Sequence, residues 1–264
     1  MGKFSKGWPA AVVLILFFLV LTIVLSIFRA KALFPDIPKL KSTDYVAEKL
    51  HLPGWMPLAE ISPLAVAAIV TSEDDDFYNN RGFELESMWE AFKADLRSLK
   101  FKRGASTITQ QVMKNTLLNK RKTLSRKIEE LVLAGEAEKV LTKDRVLEIY
   151  LNTAQFGDKL YGLEEASRFY FGKGCGELTL KEGAYLAMLL PSPIRYGQSF
   201  RDKKLTAHER RIVDSILVRM LAADKITPGE FDSAEQTPLS FEEAAPVPET
   251  TPTPGATPEV SPVK

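Results

Sequence analysis

Gly104-Ala-Ser-Thr-Ile-Thr-Gln-Gln-Val-Met-Lys-Asn115 lies in the middle of a stretch, Leu96 to Ile128, that has ten basic residues and no acidic one. A helix that only had to pack would not need Ser106, Thr107, Thr109, Gln110, Gln111, Lys114 and Asn115 so close together. A solvated face would mix its charges to limit self-repulsion. The combination points to a ligand rich in phosphate.

Toward the N-terminus, the 22 residues from Gly7 to Phe28 are uncharged and dominated by Val, Leu, Ile and Phe. As a helix they would reach about 33 Å, enough to cross the hydrocarbon core of a bilayer. The stretch exceeds the usual apolar core of a signal peptide and no small-residue cleavage site follows it, so a retained transmembrane anchor is expected over 1–30. Lys3 and Lys6 on one side nearly balance Arg29 and Lys31 on the other, and an inside N-terminus is the better choice by a small margin.

The remaining chain of about 235 residues suffices for one substantial domain, and its net charge of +1 hides the local basic run. A single cysteine, Cys175, rules out an internal disulfide and cannot build a metal site alone. His51 and His208 lie far apart and offer little to a Ser-His or Cys-His nucleophile. Both read as surface or packing residues, and no metal ligand set is expected.

The periodicity is mostly helical, without a long alternating strand pattern. Ser62-Pro63 starts a helix through Leu64 to Val70 that stops at the acidic cluster Glu73 to Asp76. Thr107 with Gln110 reads as a capping box for a helix through Lys114, and Thr123 or Ser125 starts the next. In that helix Leu124, Ile128, Leu131 and Val132 form the expected buried stripe, with Arg126, Lys127 and Glu130 on the other side. Thr142 caps a helix bearing Val146, Leu147, Tyr150 and Leu151, and later helices run through Leu178 to Leu190 and Thr206 to Ala223, broken by Pro191-Ser-Pro193. Six prolines fall among residues 246–264 with Thr, Glu and Gly, a composition that cannot bury a core.

Two carboxylates in separate helical segments, Glu73 and Glu130, are raw material for reaction at an anomeric carbon, where one group moves a proton while charge builds on the ring. A hydrolase must protonate an alkoxide leaving group. When a pyrophosphate departs, cations holding the charge do the equivalent job, and Lys114, Arg121, Lys122, Arg126 and Lys127 suit that role. The residues lean toward glycosyl transfer from a diphosphate donor.

Five segments, in order, resemble the peptidoglycan glycosyltransferases, family 51 of the glycosyltransferases, over residues from about 55 to 230. Glu73-Asp-Asp-Asp-Phe-Tyr-Asn-Asn-Arg-Gly-Phe-Glu84 is similar to the family's Glu-Asp-x-x-Phe-x-x-His-x-Gly-x-Asp. Gly104 to Asn115 matches Gly-x-Ser-Thr-Ile-x-Gln-Gln-x-x-Lys-Asn at every fixed position, and Arg126-Lys127-Ile-Glu-Glu130 matches Arg-Lys-x-x-Glu. Leu147-Glu-Ile-Tyr-Leu-Asn152 looks like the family's following helix. The last two motifs appear as Tyr161-Gly-Leu-Glu-Glu-Ala-Ser-Arg-Phe-Tyr-Phe-Gly-Lys173 and Leu186-Ala-Met-Leu-Leu-Pro-Ser-Pro193.

The resemblance implies a mostly α, lysozyme-like glycosyltransferase domain with a small membrane-associated lobe, preceded by one transmembrane helix. The expected organisation is anchor 1–30, juxtamembrane linker 31–54, glycosyltransferase domain 55–235 and disordered Pro/Thr-rich tail 236–264. The lobe falls at 86–103, where Met88, Trp89, Phe92 and Phe101 stand beside Lys93, Arg97 and Lys100; an ordinary amphipathic helix packed on the core is the alternative there.

By the same resemblance, Glu73 takes the proton from the acceptor sugar's 4-hydroxyl as it attacks C1 of the growing chain, inverting the anomeric centre. A helix C-terminus and the neighbouring Asp74, Asp75 and Asp76 disfavour further negative charge, which makes Glu73 the better base. Lys114 and the cluster Arg121, Lys122, Arg126 and Lys127 hold the donor pyrophosphate. Glu130, a second candidate catalytic residue, orients those cations or assists at the leaving group, the alternative being a simple i, i+4 partner of Arg126. Ser106, Thr107, Gln111 and Asn115 line the donor site.

Three positions depart from the pattern: Asn80 replaces the usual histidine, Glu84 an aspartate, and Lys122 a common arginine with Arg121 beside it. No transpeptidase sequence follows, so a monofunctional enzyme is expected. It would polymerise lipid II into glycan strands and release undecaprenyl pyrophosphate at the outer, periplasmic face of a bacterial inner membrane. No cofactor is required, with a divalent cation such as magnesium left open. Its partners are lipid II, the growing glycan strand and the membrane, with other cell-wall synthesis proteins open and nucleic acid excluded. The alternatives are a non-catalytic lipid II-binding scaffold and a lysozyme-like glycan-cleaving enzyme, the latter disfavoured because finished glycan brings no pyrophosphate.

Overall fold

The computed structural model describes residues 8–83, 106–119 and 123–242. The expected lobe at 86–103, Arg121 and Lys122, and residues 243–264 lie outside the described residues.

Helix α1, Trp8–Ala32, is long and apolar enough to cross a membrane, and Val13, Ile15, Phe17 and Phe28 are exposed along it. Its last turns are different. Ser26 and Ala30, one turn apart, are fully buried against a later helix, because small side chains let two helices approach closely.

Residues 31–54 are not a linker. Two 3₁₀ turns, Phe34–Asp36 and Pro38–Lys41, lead into α2, Thr43–Leu50, and Ile37, Leu40 and Val46 are fully buried in the core. Arg145 binds this segment, donating to the Leu40 carbonyl at 2.9 Å and the Thr43 hydroxyl at 3.2 Å. Turns this short repeat no apolar period, which is why the sequence reads as a connection.

The centre is α3, Pro63–Glu73, crossed by α8, Leu180–Leu189, whose ten residues are all buried. Gly183 is required at the crossing: a Cβ there would stand 2.6 Å from Ala65 Cα. The Ser62 hydroxyl caps α3 by accepting from Ala65 N and also donates to the Leu178 carbonyl at 2.7 Å, tying the start of α3 to the entry of α8. Helix α4, Ile108–Thr116, packs against both α5, Leu124–Val140, and α6, Lys143–Thr153. A two-stranded antiparallel hairpin, β1 (Gln155–Gly157) and β2 (Leu160–Tyr161), leads to α7, Leu163–Phe171. After α8 come two single turns, then α9, Ala207–Ala222, and α10, Pro228–Gln236. The packed chain continues past the expected tail boundary, since Leu239 and Phe241 are buried and Phe241 meets the Tyr185 and Phe200 rings.

Helix α5 corrects a second expectation. Its buried face is Glu130, Leu133, Ala134 and Ala137, whereas Leu124 is 62 % exposed and Ile128, Leu131 and Val132 are only half-buried. The helix lies between α4 and α1, so both of its sides are covered and a single-stripe reading of its pattern fails.

Candidate active site

Glu73 ends α3, and the chain then turns through Asp74 to Asn80 to bring the loop back against α4. Asp74 is the strut: its Oδ2 accepts from Ile108 N at 2.9 Å, and its Oδ1 accepts from Asn80 Nδ2 at 2.8 Å. Asn80 is buried and uses its amide in both senses, the Oδ1 accepting from Gly82 N at 3.0 Å and Lys143 Nζ at 3.2 Å. Lys143 also donates to Glu138 at 2.9 Å and lies over the Phe77 ring. Gly82 has φ +83°, and a Cβ there would fall 2.9 Å from the Ala134 carbonyl oxygen, so this turn against α5 needs glycine. The departure at Asn80 is thus fully accommodated.

Helix α4 begins at Thr107, whose hydroxyl accepts from Gln110 N at 3.2 Å and donates to the Gly82 carbonyl at 2.7 Å. Only half of the expected capping box forms, because the Gln110 side-chain Oε1 accepts from Lys127 Nζ at 2.8 Å instead of turning back to the cap. The cap directs Gln111 toward α3, and Gln111 Nε2 donates to Glu73 Oε2 at 2.8 Å. Tyr150 OH, from α6, donates to the same oxygen at 3.3 Å. Glu73 Oε1 accepts no hydrogen bond among the described residues.

Burial is the main reason that the Glu73 carboxyl is held above its usual range, and the Gln111 and Tyr150 hydrogen bonds and the Lys114 charge pull it partly back. The direction is the expected one, but the acidic neighbours are not the cause. Asp74 is committed to the loop, Asp75 pairs with Lys225 at 2.6 Å, and Asp76 accepts from Asn79 at 2.9 Å. Burial also raises Tyr150 well above the ordinary phenol value, which keeps it a donor.

Gln111, Lys114, Asn115, Arg126 and Tyr150 line one cavity of about 750 Å³, which continues past His51 to Lys159, Tyr161 and Glu165. Desolvation lowers the Lys114 ammonium pKa first, and Glu130 and Glu73 oppose that shift. Arg126 Nε is 2.9 Å from Glu130 Oε1, a charge contact without hydrogen-bond alignment. Lys127 Nζ donates to Ser106 at 2.7 Å, Gln110 at 2.8 Å and Glu130 Oε2 at 3.2 Å.

The candidate residues therefore separate. Glu73 with Gln111, and the cavity-lining Lys114, Asn115 and Arg126, come together. Thr107 is a buried cap rather than a wall of the cavity, and Ser106 and Lys127 are joined beside it, all three Lys127 protons being directed into the protein. Glu130 is 3 % exposed and lies against two cations, Arg126 and Lys127. Tyr150, Asp74 and Lys143 were not singled out as site residues. Tyr150 fits the apolar stripe of α6, and no local pattern reveals what meets its hydroxyl. His208 packs near Tyr196, and burial pushes the Cys175 thiol up to about 12, which suits packing rather than nucleophilic chemistry. Among the described residues no three His, Cys, Asp or Glu side chains gather as a metal site would require.

The family model described as Transglycosylase matches residues 44–220. The chain is 36% identical over 214 residues to a putative transglycosylase of Cupriavidus necator, covering 81% of this chain and 90% of that protein. It is 38% identical over 178 residues to the biosynthetic peptidoglycan transglycosylase of Chromobacterium violaceum, covering 67% and 77% of the two chains. Penicillin-binding protein 1A of Pseudomonas aeruginosa is 37% identical over 182 residues, 69% of this chain but 22% of that protein.

Proposed function

The chain belongs to the transglycosylase family, and from that premise we propose that Glu73 is the base with which it joins the sugars of lipid II. The protein is a peptidoglycan glycosyltransferase, a transferase of mostly helical, lysozyme-like fold with one apolar N-terminal helix that anchors it in a membrane. One observation carries the assignment of the base. Glu73 Oε2 is held by Gln111 and Tyr150, and those two side chains line the same cavity as the cations Lys114 and Arg126.

In the proposed step the acceptor's 4-hydroxyl oxygen bonds to C1 of the lipid-linked growing strand, and its proton passes to Glu73. The bond from C1 to the phosphate oxygen breaks, and the pyrophosphate leaves with the electron pair. Gln111 and Tyr150 occupy Oε2 and so turn Oε1 toward the acceptor, while a carboxylate raised by burial is a stronger base than one in water. Lys114 and Arg126 meet the departing charge, with Glu130 and Lys127 holding Arg126 and the start of α4 in place. This set supplies the charge stabilisation without a cofactor, and a divalent cation is an addition that a chelator series would detect.

The three hydrogen bonds of Asn80 support an active enzyme over a non-catalytic scaffold, because the loop behind Glu73 is complete without the usual histidine. We place the domain on the outer face of a bacterial inner membrane, where lipid II and the growing strand are presented; other cell-wall synthesis proteins are its natural partners there. The test is polymerisation of purified lipid II by the full chain. Glu73→Gln keeps size and polarity but removes the base, and a rate lower by about 10² to 10⁴ is expected. A mutant near the wild-type rate would refute the assignment.

A further inference from the structure

Two tethers hold the Glu73 segment from α4 and α6, one from Ile108 N to Asp74 and one from Gln111 and Tyr150 to Glu73 Oε2. A third reaches it from a remote part of the chain. Lys225 Nζ donates to Thr71 Oγ1 at 2.9 Å and to Asp75 Oδ1 at 2.6 Å. Thr71 is fully buried in α3, two residues before Glu73, and Asp75 stands two residues after it. One ammonium thus spans the point where the helix ends and the loop begins. The backbone breaks there, since Asp74 at φ −163° and ψ 75° is extended rather than helical.

The end of α9, a helix packed on α3, delivers Lys225. It closes in a Schellman motif, with Asp224 N donating to the Leu221 carbonyl at 3.1 Å and Lys225 N to the Met220 carbonyl at 2.9 Å. Asp224 takes the left-handed position at φ +53°, and Met220 and Ile226 on either side of the turn are buried. The backbone carrying the ammonium is therefore fixed by the core. The Lys225 and Asp75 side chains are 29 % and 52 % exposed, and an ion pair this open to water adds little to stability. Its main effect falls on the geometry of what lies between its partners. Lys225 lies past the residues that the family model matches, and Asp75 stands at an open position of the first motif, so the family pattern does not call for this contact.

We propose that Lys225 is a positioning residue for Glu73, stapling the last turn of α3 to the loop so that Oε1 stays turned toward the acceptor. Gln111 and Tyr150 fix one carboxylate oxygen but not the backbone behind it. The last turn of a helix has unpaired carbonyls and frays, and a cation at that end opposes fraying. A shift of about 1 Å at the base is enough to cost about 10²-fold in rate. The inference rests on Glu73 as the base.

The test is steady-state polymerisation of lipid II by the full chain. Lys225→Met keeps the aliphatic stem and removes the donors. Its kcat should fall about 10- to 100-fold with KM within about twofold of wild type, because Lys114 and Arg126 still line the cavity. Its Tm should stay within about 4 °C of wild type. Lys225→Arg, whose fork has donors for both partners, should stay within about threefold in kcat. Asp75→Ala, a change at an exposed position, should lower kcat without moving Tm and cost nothing more when added to Lys225→Met. In a Glu73→Gln background Lys225→Met should likewise cost nothing more, since a positioning residue acts only through the group it positions.

A wild-type kcat in Lys225→Met, a loss confined to KM, an equal loss in Lys225→Arg, or an undiminished loss in the Glu73→Gln background would each overturn the proposal. If Lys225→Met unfolds, Asp75→Ala carries the test, and a wild-type kcat there overturns it. Near wild-type turnover in Glu73→Gln removes the base assignment itself. An inactive Glu73→Gln beside a fully active Lys225→Met removes this inference alone.

Discussion

Replacing Asn80 tests whether the loop behind Glu73 is a working part of the site. Asn80→Ala removes the donor to Asp74 Oδ1 at 2.8 Å and the acceptor for Gly82 N at 3.0 Å and Lys143 Nζ at 3.2 Å. Lys143 keeps Glu138 at 2.9 Å, so most of the loss falls on the buried Gly82 N–H and the Asp74 carboxylate. At about 1–3 kcal/mol for each of the two buried groups that lose a hydrogen bond, the cost is about 2–6 kcal/mol. For a domain of this size that lowers Tm by roughly 4–24 °C. Since Asp74 follows Glu73 directly and carries the Ile108 N–H bond, Glu73 shifts with the loop, and with Glu73 as the proposed base kcat should fall about 10- to 100-fold.

Asn80→His is the instructive control. A neutral imidazole has one donor and one acceptor and can keep the Asp74 bond and one of the other two, so stability within about 1.5 kcal/mol and near wild-type turnover are expected. Asn80→Asp sets a second carboxylate against Asp74 and should be worse than alanine. The assays are thermal unfolding by circular dichroism in detergent and polymerisation of lipid II. An Asn80→Ala protein within about 2 °C and twofold of wild type would refute the reasoning behind these numbers. A wild type as inactive as Glu73→Gln, with turnover restored by Asn80→His, would replace the enzyme by a degenerate scaffold.

Three further outcomes follow from the site and the anchor. Burial raises the Glu73 pKa in the folded state, so the protonated form is favoured there and stability is lost as pH rises through the folded value; the rate instead needs the ionised form. Glu73→Gln should therefore raise Tm near pH 7 to 8, with the gain vanishing below about pH 4, and a gain equal at both ends would contradict the burial argument. Glu130→Gln removes the counter-charge of Arg126 at 2.9 Å and Lys127 at 3.2 Å, and a loss of about 3–5 kcal/mol in urea unfolding is expected, an unchanged midpoint showing the pairs to be idle. Protease added outside spheroplasts should digest the domain after Phe28, and protection until lysis would overturn the orientation and with it the reaction.

Helix starts were readable from the chain because capping is local chemistry. Ser62, Thr107, Thr123 and Thr142 each accept from the N–H three residues on, and such bonds need no distant partner. The anchor was equally plain, since bilayer thickness turns directly into a count of apolar residues. The glycosyl-transfer chemistry was legible for a related reason: residue type limits what a side chain can do, whatever it touches.

Other features depend on contacts between remote parts of the chain. The Glu73 to Tyr150 bond joins residues 77 apart, and the apolar pattern of α6 accounts for Tyr150 without mentioning it. Sequence assigned Lys127 and Thr107 to the ligand, but packing turned both inward to hold α4. The buried face of α5 was misread because two partners, α4 and α1, compete for its sides, and only their positions show that Glu130 lies on the α4 side. Periodicity reports that a face is covered, whereas the identity of the cover, and so whether a carboxylate ends as a base, a counter-ion or a strut, follows from the three-dimensional arrangement that removes water from one group and leaves another beside the cavity.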